Sequence, residues 1–148
     1  MSLYDRKTDP ALENDGVRFE HMETRTEGFA YTVKRAHSGN KKYSRAMQNA
    51  LKPYRRQMDA DEADDALIRG PLVAVYCDLM LTRWETCQDG VWAEGIENEE
   101  GGELLPANRD NLYKMLMDLP EIFDQIREDS TKAAFYRVTH REEDAKNS

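Results

Sequence analysis

Hydrophobic and polar positions change period along this chain. Val17-Arg-Phe-Glu-His-Met22 alternates apolar with polar residues, and Phe29-Ala-Tyr-Thr-Val-Lys-Arg35 puts Phe29, Tyr31 and Val33 on one face. A period of two is that of a half-buried strand. The two segments are expected to pair antiparallel across the Glu23 to Gly28 connection. Two strands alone are marginal in water, so the pair must lean on helices. From Asn40 onward the period lengthens to that of a helix. Tyr43, Met47, Ala50 and Leu51 share a face there, and Pro53 should end or kink the helix.

The longest apolar run is Pro71–Trp84, PLVAVYCDLMLTRW. Strands usually span about five or six residues, so a run of this length reads as a helix. It is expected to be the central helix, about 71–86, covered nearly all round and ending before Asp89-Gly90. A membrane span would need roughly 20 apolar residues, more than are present. Ahead of the run, Asp59 or Asp61 can cap a helix carrying Ala63, Ala66 and Leu67, with Gly70-Pro71 as a kink or interruption.

Residues 88–107 read as a connection rich in glycine and glutamate, in which Val91, Trp92 and Ile96 pair with Leu104 and Leu105. Asn108 then caps a helix with Leu112, Met115, Leu116 and Leu119 on its apolar face. Asp118-Leu-Pro-Glu121 has the form of a capping box with proline in the first turn. A second helix is expected to start at Leu119 and bury Ile122, Phe123 and Ile126. It continues, past a break at Ser130, through Ala133, Ala134, Phe135 and Val138. The fold class is α+β: an N-terminal antiparallel strand pair, then a mainly helical half. Residues 17–138 form one domain, with 1–16 and 139–148 expected to be flexible.

The totals sharpen this picture. The 148 residues carry a net charge of −8, which is a poor match for nucleic acid or an anionic membrane unless charge is segregated. It is partly segregated. No acid occurs between Gly28 and Met58, where Lys34, Arg35, Lys41, Lys42, Arg45, Lys52, Arg55 and Arg56 lie, and Asp59–Asp65 then carries five acids. The plain reading is two solvated faces; the functional one is a docking surface for an acidic partner, with Lys41, Lys42, Arg45, Arg55 and Arg56 as contacts. Cys77 and Cys87 make no disulfide framework, and Cys77 reads as a buried thiol. The chain opens on polar residues rather than a signal peptide, so the cytoplasm is the expected compartment.

Catalytic signatures are missing from the sequence. His21, His37 and His140 lack metal-ligand spacing, and neither GxxxxGK[ST] nor GxGxxG occurs. Gly101-Gly102 sits among acids, the wrong charge for cradling phosphate. The expectation is a protein that is not an enzyme and holds neither cofactor nor metal.

The order of elements in the C-terminal half is recognisable. A hydrophobic helix ends in Trp84-Glu85; a Gly-rich link holds Asp89-Gly90; Leu-Pro-Ala-Asn leads into a helix; Leu116-Met-Asp-Leu-Pro-Glu-Ile-Phe-Asp-Gln-Ile126 follows. This set resembles the tail assembly chaperones of long-tailed, non-contractile, lambda-like siphophages, over roughly 64–135. Phe29–Arg35 followed by Asn40-Lys-Lys-Tyr43 resembles the start of such proteins.

The resemblance implies a binding protein in the host cytoplasm that keeps the tape measure protein soluble, supports assembly of the tail tube, and is absent from the mature virion. It implies a groove for an amphipathic helix, for which Leu116, Leu119, Phe123 and Ile126 are the candidate lining. It also implies a longer form, made by a −1 ribosomal frameshift, that recruits the tail tube protein. Ala145-Lys146-Asn147 can be encoded as GCA AAA AAC, which contains the slippery sequence A AAA AAC. The alternative from another class is a small nucleic-acid-binding regulator using the basic segment 34–56, with Tyr43 and Tyr54 interleaved.

Overall fold

The computed structural model describes residues 2–61 and 65–138. The expected strand pair is present. Strand β1 (Val17–Met22) pairs antiparallel with β2 (Gly28–Val33), from Val17 opposite Val33 to Met22 opposite Gly28. The pair belongs to a larger sheet, however. Its order is β1-β2-β3-β4, with β3 at Leu81–Gln88 and β4 at Val91–Glu94, every neighbour antiparallel. The α+β class stands, and the sheet is four-stranded rather than two-stranded.

Strand β3 corrects the expected central helix at about 71–86. The apolar run does begin as helix: α4 (Asp65–Val75) passes through Pro71 and continues as a π-helical turn over Tyr76–Met80. At Leu81 the backbone becomes extended, with φ −82° and ψ 121°. From there Trp84 and Thr86 point to the helices while Arg83 and Glu85 point away, a period of two concealed by burial at both ends. Strand β2 supplies the reason. Its second edge needs a partner, and β3 runs beside it with Tyr31 opposite Trp84. A register shift between Thr32 and Val33 absorbs one extra residue of β3.

Asp89-Gly90, read as a helix stop, is the two-residue turn of the β3–β4 hairpin. Both residues take positive φ, 52° and 78°, as a type I′ connection requires. Val91 and Trp92 therefore pair with Gln88 and Cys87 instead of Leu104 and Leu105, whereas Ile96 does bridge Leu105.

Between β2 and β3 lie three helices: α2 (Lys41–Leu51), α3 (Arg55–Asp59) and α4, with a 3-10 turn at Lys52–Tyr54 around Pro53. Asn40 caps α2, its side chain accepting from the Tyr43 amide at 3.2 Å. Of the two caps expected for α4, Asp59 is instead the last residue of α3 and Asp61 takes a left-handed φ of 56°, while Ala63 lies outside the described residues. After β4 come α5 (Arg109–Asp118) and α6 (Pro120–Ser130). Asn108 caps α5 as expected, accepting from the Asn111 amide at 2.9 Å. The capping box at Asp118 does not form. Leu119 is the N-cap residue of α6 and makes no side-chain cap, while Asp118 pairs with Lys114 at 3.0 Å. Beyond Thr131 the chain forms a 3-10 turn, Ala133–Tyr136, in place of a continued helix.

Residues 3–15, for which the sequence offered no element, carry a 3-10 turn at Leu3–Arg6 and the short helix α1 (Pro10–Asp15), capped by Asp9. Thr8 bridges Arg137, and Arg35 and His37 reach Glu13 at 2.9 and 2.8 Å. These polar contacts leave no hydrophobic period, which is why the sequence read as structureless. Residues 139–148, expected to be a flexible tail, lie outside the described residues.

The core lies between the sheet and the helices. Val17, Phe19, Tyr31, Val33 and Trp84 meet Leu72, Val73, Tyr76 and Met80 from α4 and its π-helical turn, together with Leu116, Phe123 and Ile126. Arg18 crosses the opposite face of the sheet. Arg18 on β1 bonds Glu20 at 2.8 Å and Glu85 on β3 at 2.7 Å, and stacks 4.6 Å from the Trp92 ring on β4. It passes over β2, where Ala30 is fully buried.

Candidate functional site

The four residues expected to line a binding groove are divided by the structure. Leu116, Phe123 and Ile126 are almost fully enclosed in the core. Phe123 meets Tyr76 edge-on at 5.4 Å. They are therefore not an open lining: the helical face they share is the one α5 and α6 turn to α4 and the sheet. Leu119 is different. It sits where α5 ends and α6 begins, with a non-helical backbone of φ −122° and ψ 72°, and is 48% exposed. Outside both helices, it escapes the rotation that turns its neighbours inward.

A groove of about 350 Å³ opens beside it. Met115, Leu119 and Ile122 form one wall and the ends of β2 and β3 form the other, with Phe29, Trp84 and Thr86. Phe29 and Trp84 stack with ring centroids 5.5 Å apart and planes within 3° of parallel. The wall is stiffened from behind, since Thr86 donates to the Gly95 carbonyl at 2.8 Å and the Cys87 thiol to the Thr26 carbonyl at 3.4 Å. Glu23, Glu27 and Glu97 stand around the same opening. The site is thus an apolar slot in an acidic frame. Of its lining, Leu119 alone is among the residues that the sequence pattern marks for binding. In the sequence Phe29 lies on a strand face and Trp84 at the end of an apolar run, and only the β2–β3 pairing brings them together.

The basic residues fall where the sequence put them. Lys41, Lys42 and Arg45 are exposed on α2, and Arg55 and Arg56 on α3. Beneath them Met47, Leu51, Arg55 and Met58 line a shallow hollow of about 390 Å³. Tyr43 turns inward and meets Tyr76 edge-on at 6.0 Å. Both cysteines are buried, and for Cys77 that burial, with Asp78 adding to it, pushes the thiol up to about 11, away from reactive thiolate. Among the described residues no three His, Cys, Asp or Glu side chains gather as a metal site, and no helix is long and apolar enough to cross a membrane.

A family model described as "YdaY prophage protein" matches residues 38–147, from the lead-in to α2 through α6 and beyond. Trp84, Met115, Leu119 and Ile122 lie inside the match, whereas Phe29, Glu23 and Glu27 precede it. No curated protein and no solved structure matches the chain. The chain belongs to the YdaY prophage protein family, and it is a phage-derived protein.

Proposed function

We propose that this prophage protein is a tail assembly chaperone that holds a helical segment of the tape measure protein in the groove between the sheet and the α5–α6 junction. The observation that carries the reading is Leu119, a large apolar side chain 48% exposed beside a wall of stacked aromatics. An amphipathic helix seats its i, i+3 or i+4, and i+7 side chains in such a slot and so removes its apolar face from water. Glu23, Glu27 and Glu97 favour a helix with lysine or arginine flanking those anchors. Membership of a prophage family supports the assignment, as does the part of the resemblance that the fold keeps, the Asn108-capped helix followed by the helix from Pro120.

In this reading the chain binds its partner without catalysing a reaction, works in the host cytoplasm, and leaves before the virion is complete. A frameshifted longer form would bring in the tail tube protein. Its slip site at Lys146-Asn147 lies outside the described residues, and the coding DNA decides it. A lysine codon of AAG, or a closed −1 frame, removes that element alone.

Co-expression with the tape measure protein tests the groove. The wild-type chain is expected to keep the partner soluble, and Leu119→Asp to lose this while keeping its own thermal melt. A folded Leu119→Asp variant that still keeps the partner soluble would move the site elsewhere. The exposed cations of α2 and α3 favour a second reading, nucleic-acid binding, whose affinity would fall steeply with salt, as phosphate contacts require.

A further inference from the structure

The acidic slot and the basic arm formed by α2 and α3 are complementary in two respects at once. The slot presents an exposed leucine and stacked aromatics framed by Glu23, Glu27 and Glu97. The arm presents Met58, 38% exposed, over a hollow floored by Met47 and Leu51 and edged by Arg55 and Asp59, with Arg56 exposed next to them. We propose that the occupant of the slot, when no partner is bound, is the α2–α3 arm of a second copy of this chain. The proposal rests on reading the slot as a helix-binding site, and it adds how that site is kept covered.

Charge argues for a copy in spite of the net −8. At physiological ionic strength the screening length is about 8 Å, so two copies feel the charges at their contact far more than their totals. Most pairs of surfaces on an acidic protein repel at that range. The arm against the slot is a pairing that attracts, because Lys52, Arg55 and Arg56 outnumber Asp59, the one acid of α3, which closes the far end of the hollow. The contact joins two different patches, so the copies associate head to tail. The arm also describes the partner that would displace it: a helix with methionine or leucine anchors and adjacent arginines.

Charge reversal on each side tests this. Arg55, Arg56, Glu23 and Glu97 are all exposed, so Arg55→Glu/Arg56→Glu and Glu23→Lys/Glu97→Lys are expected to fold normally. Sedimentation velocity at moderate salt should show wild-type protein associating reversibly as its concentration rises. Each variant alone should associate about tenfold more weakly, equivalent to 1.4 kcal/mol. An equimolar mixture of the two variants should recover association, because the reversed arm then matches the reversed slot. A wild-type chain that stays monomeric, variants that associate as well as wild type, or a mixture that does not recover would each overturn the proposal. Monomeric protein that binds duplex DNA through Arg55 and Arg56 would overturn it as well and assign the arm to nucleic acid. Binding of a basic amphipathic peptide to the Arg55→Glu/Arg56→Glu variant, whose slot is intact, tests the slot separately from self-association.

Discussion

Tyr31 donates a hydrogen bond to the Asp129 carboxylate at 2.5 Å, tying the central strand β2 to the last turn of α6. Asp129 is buried, and it also meets His21 Nε2 at 2.8 Å and Lys132 at 3.0 Å. Gln125 reaches the other ring nitrogen of His21 at 2.9 Å, so β1 is held by the same knot. Burial by itself would raise the Asp129 carboxyl pKa. The bonds from Tyr31, Lys132 and His21 outweigh it, and the pKa lies below the ordinary aspartate value.

A depressed folded-state pKa fixes the sign of the pH dependence. Asp129 stabilises fully above the unfolded value, about 3.9, and that stabilisation is lost as pH falls through the lower folded value. Asp129→Asn should cost about 1.5–3 kcal/mol at neutral pH, the usual worth of hydrogen bonds to a charged group. It should also flatten the loss of stability at acid pH. Urea unfolding across a pH series checks both, and an unchanged acid slope would remove the residue from this role.

Ala30 is expected to tolerate little growth. A larger side chain there would stand in the path of Arg18 as it crosses to Glu85 and Trp92. Ala30→Leu should cost about 1–3 kcal/mol, the range for overpacking. Arg18→Ala should cost only about 1 kcal/mol or less, because the guanidinium is part-exposed and its ion pairs are screened. Thermal melts that reverse this order would show the crossing arginine to be the structural element.

Phe123 and Leu119 should separate cleanly. Phe123→Ala is expected to cost about 3–5 kcal/mol, as for a buried aromatic. Leu119→Ala should stay within about 0.5 kcal/mol, as for an exposed position. Chemical denaturation of the two variants checks this, and equal losses would place both side chains in the core.

Gly90 should resist substitution for conformational reasons alone. Its φ is +78°, and a Cβ built there meets no heavy atom within 4 Å. Gly90→Ala should therefore cost about 1 kcal/mol of backbone strain. Asp89→Gly, at φ 52°, should be close to neutral. Equal losses in both variants would mean that the Asp89 side chain, not the backbone, holds the turn.

The sequence by itself determined the elements whose causes are local. The alternation at Val17–Met22 and Phe29–Val33 made an antiparallel pair, and Asn40 and Asn108 marked two helix starts, because side-chain period and cap chemistry act within a few residues. Burial of the run from Pro71 to Trp84 was also written there, in the absence of a polar face. Where that run leaves the helix was not. Leu81 turns to strand because β2 has an unpaired edge beside it, and backbone groups on an edge are satisfied by whichever segment the fold brings there. The fate of the α5–α6 leucines was decided in the same way. A helical pattern says which residues share a face, but only packing says whether that face meets a core or a partner. So Leu116, Phe123 and Ile126 went inside. Leu119 stayed out because it lies between the helices, and its exposure created a slot whose other wall, Phe29 on Trp84, comes from strands 55 positions apart that no local pattern could join.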